Sequence, residues 1–284
     1  MKWLAALSAQ DFSYRVARDQ GRWVVLVPTE QAAAADRELA EYERVNRDWP
    51  PPSARGGTHA QGKPTNTVFS SLLVAVALLL WFLYTGRVGH GHNELLADRA
   101  AAVSTAIQDG EWWRTITALT LHADFGHVFS NAACLFAFGV ALCRFLGPGT
   151  AWLAILLSGT LGNAAAAWLV ATPRSALGAS TAVFGAVGML SVLQFYRHYR
   201  SNTHIRTIWH QAWTAGIAGL ALLALLGTAP GTDIAGHFCG FVSGCVIALP
   251  GLLLPQYRHR VVVQAAIFAV VVLAVLGSWY IALH

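Results

Sequence analysis

Charge is scarce in this chain: only 12% of its 284 residues are Asp, Glu, Lys or Arg, and 55% are hydrophobic. A soluble domain carries about 25% charged residues, so the shortage excludes an ordinary water-soluble globule and makes this a membrane protein. Cysteine is also sparse. Cys134, Cys143, Cys239 and Cys245 all fall inside apolar runs with no C-x-x-C pair, which excludes a disulfide framework and a zinc site and leaves four small buried hydrophobes. Clustered basic charge is missing as well: the net charge of +5 is spread over loops, which excludes nucleic acid as a partner and assigns the charge to membrane topology. No fixed-period self-similarity is present, so this is not a repeat protein.

What is there divides into unequal parts. Residues 1–66 hold nearly half of the basic and more than half of the acidic residues, with no run long enough to cross a bilayer. Trp3 to Ala9 is too short and too weakly flanked for a signal peptide. Tyr14–Ala17 and Trp23–Val27, separated by Asp19-Gln20-Gly21, read as a hairpin with a Gly turn, and Gln31–Arg47, rich in Ala, Glu and Arg, reads as a helix stopped by Pro50-Pro51-Pro52. The expected organisation is a small soluble α+β domain over 1–49, a linker over 50–66, a helical core over 67–257 and a final membrane helix over 258–284.

Apolar runs recur at about Val68–Tyr84, Val128–Leu146, Ala151–Ala171, Thr181–Tyr196, Ala212–Ala229, Ile234–Leu254 and Val261–Leu283. A helix needs about 20 residues to cross the hydrocarbon core, so the sequence predicts seven spans of an all-α polytopic membrane protein. With a cytoplasmic N-terminus, the inside loops hold Arg144, then Arg197, Arg200 and Arg206, then Arg258 and Arg260, while the short outside loops hold only Arg174 and Asp233. That asymmetry follows the positive-inside rule. The exception is the long outer connection from Arg87 to Asp124, which lacks a strong helical pattern and contains Glu111-Trp112-Trp113-Arg114. From those residues alone the pair of tryptophans reads as an interfacial belt, although long connections are often functional.

This topology brings polar residues to one depth. Span two begins near His127, span four at Ser180 and span six near Asp233, all on the outer side. His127 and Asn131 are four apart and share a helix face, and His237 lies four residues into span six. Alone, Ser180 is an ordinary helix cap, and a lone Asn or His in a span is an ordinary packing hydrogen bond. Four such groups from three spans at one level point instead to a site, because polar residues in a span face a bundle interior or a cavity. Gly236, Gly240 and Gly244, with Gly185 and Gly188 on span four, provide close helix approach. The chemistry available to these residue types is acyl transfer: His237 takes the proton of Ser180, Ser180 attacks a carbonyl, and the Asn131 amide, the His127 ring and the Ser180 backbone N–H stabilise the oxyanion. No acidic residue is placed to orient His237, but Phe184, one turn below Ser180, can pack on the imidazole.

These motifs resemble those of the rhomboid intramembrane serine proteases. Gly178-Ala179-Ser180 is similar to the family's Gly-x-Ser, His127-Val128-Phe129-Ser130-Asn131 to its His-x-x-x-Asn, and Gly236-His237-x-x-Gly240-x-x-x-Gly244 to its histidine helix. Trp113-Arg114 resembles the Trp-Arg of its first outer loop, and Ser158-Gly159-x-x-Gly162-Asn163 its third span. The resemblance covers about Trp112 to Leu254. It implies a six-helix rhomboid-like bundle plus one C-terminal transmembrane helix, a Ser180–His237 dyad, an oxyanion hole from Asn131 and His127, and support from Phe184, Gly178, Gly240, Gly244, Trp113 and Arg114. It further implies cleavage of transmembrane protein substrates near the outer face of the cell membrane, in the lipid bilayer, with no cofactor and no metal.

Three positions depart from the family pattern: Thr181 replaces a glycine after the serine, Cys143 a glutamate, and Gly236 an alanine. A metalloprotease would need His-Glu-x-x-His and an aspartyl type a pair of aspartates within spans; neither is present. His90, His92 and His122 read as solvated loop histidines rather than metal ligands. The rival from another class is a catalytically silent rhomboid-like protein that binds or escorts membrane helices. It would typically lack the serine or the histidine, and this chain has both.

Overall fold

The computed structural model describes residues 2–19, 22–46, 64–86, 92–170, 172–200, 233–251 and 260–284. The expected fifth span, Ala212–Ala229, lies outside the described residues, as do most of the 50–66 linker and the hairpin's Gly turn. Contacts divide the chain into two units, residues 1–60 and 61–284.

In the first unit, α1 (Lys2–Ala9) is followed by β1 (Arg15–Asp19), β2 (Arg22–Leu26) and α2 (Thr29–Val45). The strands pair antiparallel from Arg15↔Leu26 to Asp19↔Arg22. Helix α1 is not predicted by the sequence, since eight residues are too few to hold a helix alone. It exists by packing on α2: Ala6, Leu7 and Ala35 are buried, and the Trp3 indole N–H donates to Glu43 at 3.0 Å.

The second unit comprises α3 (Pro64–Thr85), α4 (His92–Ala100), β3 (Ala102–Val103), α5 (Ser104–Gln108), α6 (Arg114–Thr117), a 3-10 turn at Ala118–Thr120, α7 (Phe125–Leu146), α8 (Pro148–Leu169), β4 (Ser175–Ala176), α9 (Ser180–Arg200), α10 (Ile234–Gly251) and α11 (Val261–Leu283). Thr67–Thr85, Phe125–Leu146, Pro148–Leu169 and Val261–Leu283 are long and apolar enough to cross a membrane, and Ser180–Tyr196 and Ile234–Leu249 are shorter apolar helices. Val128, Leu142, Trp152, Ile155 and Met189 form the heart of the apolar core between them. Leu72, Leu83, Leu161, Val246 and Leu273 point outward and are exposed. A helix can present such side chains to lipid because all its backbone groups are satisfied within it. The chain is a mostly helical, multi-pass membrane protein.

The long connection before α7 is more ordered than its sequence pattern suggests. Three short helices fill it, and β3 pairs antiparallel with β4, Ala102 opposite Ala176 and Val103 opposite Ser175. Short helices without a long apolar period are not legible in sequence, because their stability comes from tertiary contacts. Here Arg114 supplies one such contact, its buried guanidinium donating to the Ala101 carbonyl at 3.1 Å while pairing with Glu111.

Helix α11 is tied to the bundle at both ends. Near its start, Gln264 accepts from the Thr150 backbone N–H at 3.0 Å, satisfying one of the free donors at the α8 N-terminus. Near its end, the Trp279 indole N–H donates to Thr120 Oγ1 at 3.0 Å.

Candidate active site

Ser180 owes its position to the turn before it. After β4 the chain passes through Gly178 at φ +122°, a conformation that only glycine adopts readily, and Ser180 is the first residue of α9. The turn is anchored on both sides. The Gly178 N–H donates to the Ala118 carbonyl at 2.9 Å, and the Ala179 N–H donates to His122 Nε2 at 3.3 Å.

His237 comes from α10, which begins with Asp233 bonding the Gly236 N–H at 3.0 Å. Arg174 and Asp233, the two charges expected in the short outer loops, form an ion pair. Glycines then bring α10 against α9. A Cβ on Gly240 would overlap the Thr181 carbonyl, and one on Gly244 would overlap the Gly185 backbone. With the helices this close, His237 Nε2 and Ser180 Oγ stand 2.7 Å apart. The His237 ring lies against Phe184, with centroids 4.6 Å apart and planes 32° apart. Its Nδ1 is buried and, among the described residues, unpartnered; the Asp233 carboxylate one turn earlier is engaged with Arg174 and Gly236.

Helix α7 brings the remaining polar groups. Asp124 caps it, accepting from the His127 N–H at 2.9 Å, so that His127 and Asn131 follow on one face. Both face the serine turn: a Cβ on Gly178 would stand 2.6 Å from His127 Cε1, 2.7 Å from His127 Nε2 and 3.7 Å from Asn131 Nδ2. Asn131 is buried, and its Nδ2 has no partner among the described residues. A cavity of about 10 Å³, lined by Ala118, Asn163, Gly178, Ser180 and Thr181 among others, adjoins Ser180; that is roughly the room one water needs.

Ser180, His237, Phe184, Gly178, His127 and Asn131 are thus brought together, with Gly240 and Gly244 behind them. Trp113 and Arg114 are not part of this cluster. Trp113 packs against the buried cluster of Ala100, Leu121, Trp279 and Ala282, so it is a packed residue and not a belt residue; its neighbour Trp112 is the exposed one.

His122 corrects an expectation. It is 1% exposed rather than solvated, accepts the Ala179 N–H and stacks edge-on to His127 at 5.0 Å. Burial, with the neighbouring His127 ring, pushes it down to about 3, against the opposing effects of the Thr120 backbone and Asp124, so the ring stays neutral and keeps Nε2 as an acceptor. Its position five residues before His127 carried no usable pattern, because loop burial is not encoded in local periodicity.

The three departures are accommodated. Thr181 is buried, with Cγ2 beside Gly162 and Gly240. Cys143 keeps a weak polar contact to α3, its Sγ 3.8 Å from Ser70 Oγ. Gly236 sits beneath the Asp233 carboxylate, which a Cβ would overlap.

The Rhomboid domain model matches residues 109–254, just over half of the chain. The chain is 30% identical over 232 residues to rhomboid protease GluP of Bacillus subtilis, covering 78% of this chain and 41% of that one. It is 30% identical over 129 residues to YdcA of the same organism, covering 45% and 63%. To RHOMBOID-like protein 5 of Arabidopsis thaliana it is 32% identical over 159 residues, covering 54% and 48%. The chain therefore spans between about two fifths and under two thirds of the length of these relatives. The matched segment runs from the connection before α7 through α10 and includes the turn at Gly178, the α7 face and the glycine-packed α9–α10 pair, and on that match this multi-pass membrane protein belongs to the rhomboid family.

Proposed function

We propose that this chain is a serine endopeptidase that cleaves transmembrane segments of other proteins within the bilayer, near the outer membrane face. The observation that carries the reading is the 2.7 Å approach of Ser180 Oγ to His237 Nε2, within the reach that a nucleophile and its base require. In the first step His237 Nε2 takes the hydroxyl proton as Oγ bonds to the scissile carbonyl carbon. The negative charge that develops on the carbonyl oxygen is held by donors from Asn131 Nδ2, the His127 ring and the Ser180 N–H. The unpartnered Asn131 amide supports this assignment, since a buried donor without an acceptor costs about 1–3 kcal/mol and an oxyanion would satisfy it. The C–N bond then breaks, and the protonated His237 returns the proton to the leaving amine. Water attacks the acyl-enzyme with His237 again as base, releasing the new carboxylate and restoring Ser180.

The histidine is oriented by Phe184 rather than by a carboxylate, which makes the machinery a dyad. The N-terminus is assigned to the cytoplasm of a cell-membrane protein by the arginine asymmetry. Residues 1–49 are assigned to a soluble appendage, joined through 50–66 to the core at 67–257, with 258–284 as the added seventh helix.

The reading is tested with a fluorophosphonate probe and a model transmembrane substrate in detergent micelles. Ser180→Ala is expected to lose both labelling and cleavage, and His237→Ala to lose them by at least about 10³-fold. A folded wild type that neither labels nor cleaves would replace this reading with a helix-binding role. Cleavage should also fall on the acid side of the profile, because protonated His237 cannot accept the Ser180 proton. A rate that stays flat with falling pH through the whole imidazole range would remove His237 as the base.

A further inference from the structure

Rings and amides outside the dyad link the last helix to the serine turn. Trp279 lies at the outer end of α11, 6% exposed. Its indole N–H donates to Thr120 Oγ1 at 3.0 Å, and its ring meets Trp81 edge-on with centroids 4.9 Å apart. Thr120 is held in turn by donating to the Thr117 carbonyl at 2.8 Å. Two residues on is His122, which accepts the Ala179 N–H, and two residues back is Ala118, whose carbonyl accepts the Gly178 N–H. The segment that Trp279 grips therefore holds both backbone amides that precede Ser180.

A second set of contacts runs in parallel. Leu177, the residue before Gly178, packs in one apolar cluster with Trp279, Ala282, Leu121 and Trp113. The end of α11 is itself anchored there, its Leu283 carbonyl accepting from Arg99 at 3.1 Å. The serine turn is thus backed by the outer end of α11 from two directions, by hydrogen bonds through Thr120–His122 and by packing through Leu177.

We propose that α11 is a positioning element for the nucleophile, in which Trp279 fixes the Thr120–His122 segment and Leu177 and so sets where the Gly178–Ser180 turn stands. Trp279 and His122 are positioning residues; neither touches the reacting atoms. Support of this kind matters because a displacement of about 1 Å at a reacting group costs on the order of 10²-fold in rate. The catalytic consequence rests on the Ser180 reading above, whereas the mechanical link does not.

The test uses the full-length chain with Trp279→Ala, which removes ring and donor, Trp279→Phe, which keeps a ring, and Thr120→Val, which removes the acceptor. Hydrogen exchange of the 178 and 179 amides reads the link directly, whether or not Ser180 is a nucleophile. Trp279→Ala is expected to speed that exchange and to lower kcat by about tenfold with KM changed less than about twofold. Trp279→Phe should recover part of both, and Trp279→Phe combined with Thr120→Val should be no worse than the more severe of the two alone, since they share one hydrogen bond. Unchanged 178–179 exchange in folded Trp279→Ala, or a loss carried by KM alone, would overturn the proposal. If Trp279→Ala does not fold, unchanged exchange and kcat in both milder variants would overturn it equally. Cleavage surviving in Ser180→Ala would sink the serine reading and leave the exchange result to decide this one.

Discussion

Gly244→Ala should reduce cleavage by about 10²-fold, a large effect from one methyl group two turns away from the histidine. The added carbon would overlap the backbone of Gly185 in α9, its carbonyl oxygen, carbonyl carbon and Cα alike. Backbone cannot rotate aside as a side-chain tip can, so the helices must separate. Overpacking of this kind costs about 1–3 kcal/mol. The larger effect is geometric, because Ser180 stands on one of the separated helices and His237 on the other, and their 2.7 Å contact is the distance that opens. Gly277→Ala is the matched control: a Cβ there meets nothing within 4 Å, and activity and thermal stability should stay at wild-type levels. Measured kcat and melting temperature for the two variants decide the matter. Equal activity in both would mean that the glycine contact does not set the dyad distance.

The second large effect is expected at Gly178. Alanine there is strained at φ +122°, by about 1–3 kcal/mol, and its Cβ would stand 2.6 Å from the His127 ring. The ring has to swing away from the serine turn. On the proposed mechanism this removes one oxyanion donor and disturbs the turn itself, so the rate should fall by about 10²–10³-fold. The diagnostic variant is the pair Gly178→Ala with His127→Ala. Removing the ring relieves the clash, so the double variant should lose less than the two single losses combined. Full additivity would show that Gly178→Ala acts through backbone strain alone, and wild-type rates in Gly178→Ala would show that the His127 ring has no part in the reaction.

Much of the bundle was legible because crossing a bilayer demands a length and an apolarity that few segments reach by chance. Four of the predicted runs correspond to helices long enough to span, and those at Thr181–Tyr196 and Ile234–Leu254 to α9 and α10. The starts of α7, α9 and α10 were legible too, so the polar residues could be placed at one depth by counting from helix ends. Helix α1, the short helices before α7 and the β3–β4 pairing were not. Each is too short to carry a period of its own, and each is held by partners distant in the chain.

Sequence alone determined that this is a polytopic helical membrane protein with a serine, two histidines and an asparagine within two turns of the starts of three of its helices, because hydropathy and helical rise are local properties. It also determined where close helix approach was possible, since only glycine leaves the space. Tertiary structure decided which close approaches occur: Gly240 against Thr181, Gly244 against Gly185, and hence the 2.7 Å between Ser180 and His237. It also decided that Arg174 meets Asp233, that His122 is buried under Ala179, and that Trp279 reaches Thr120 across 159 residues of chain. These depend on which surfaces are brought together after each helix has formed, and burial and hydrogen-bond partnership arise only at that stage.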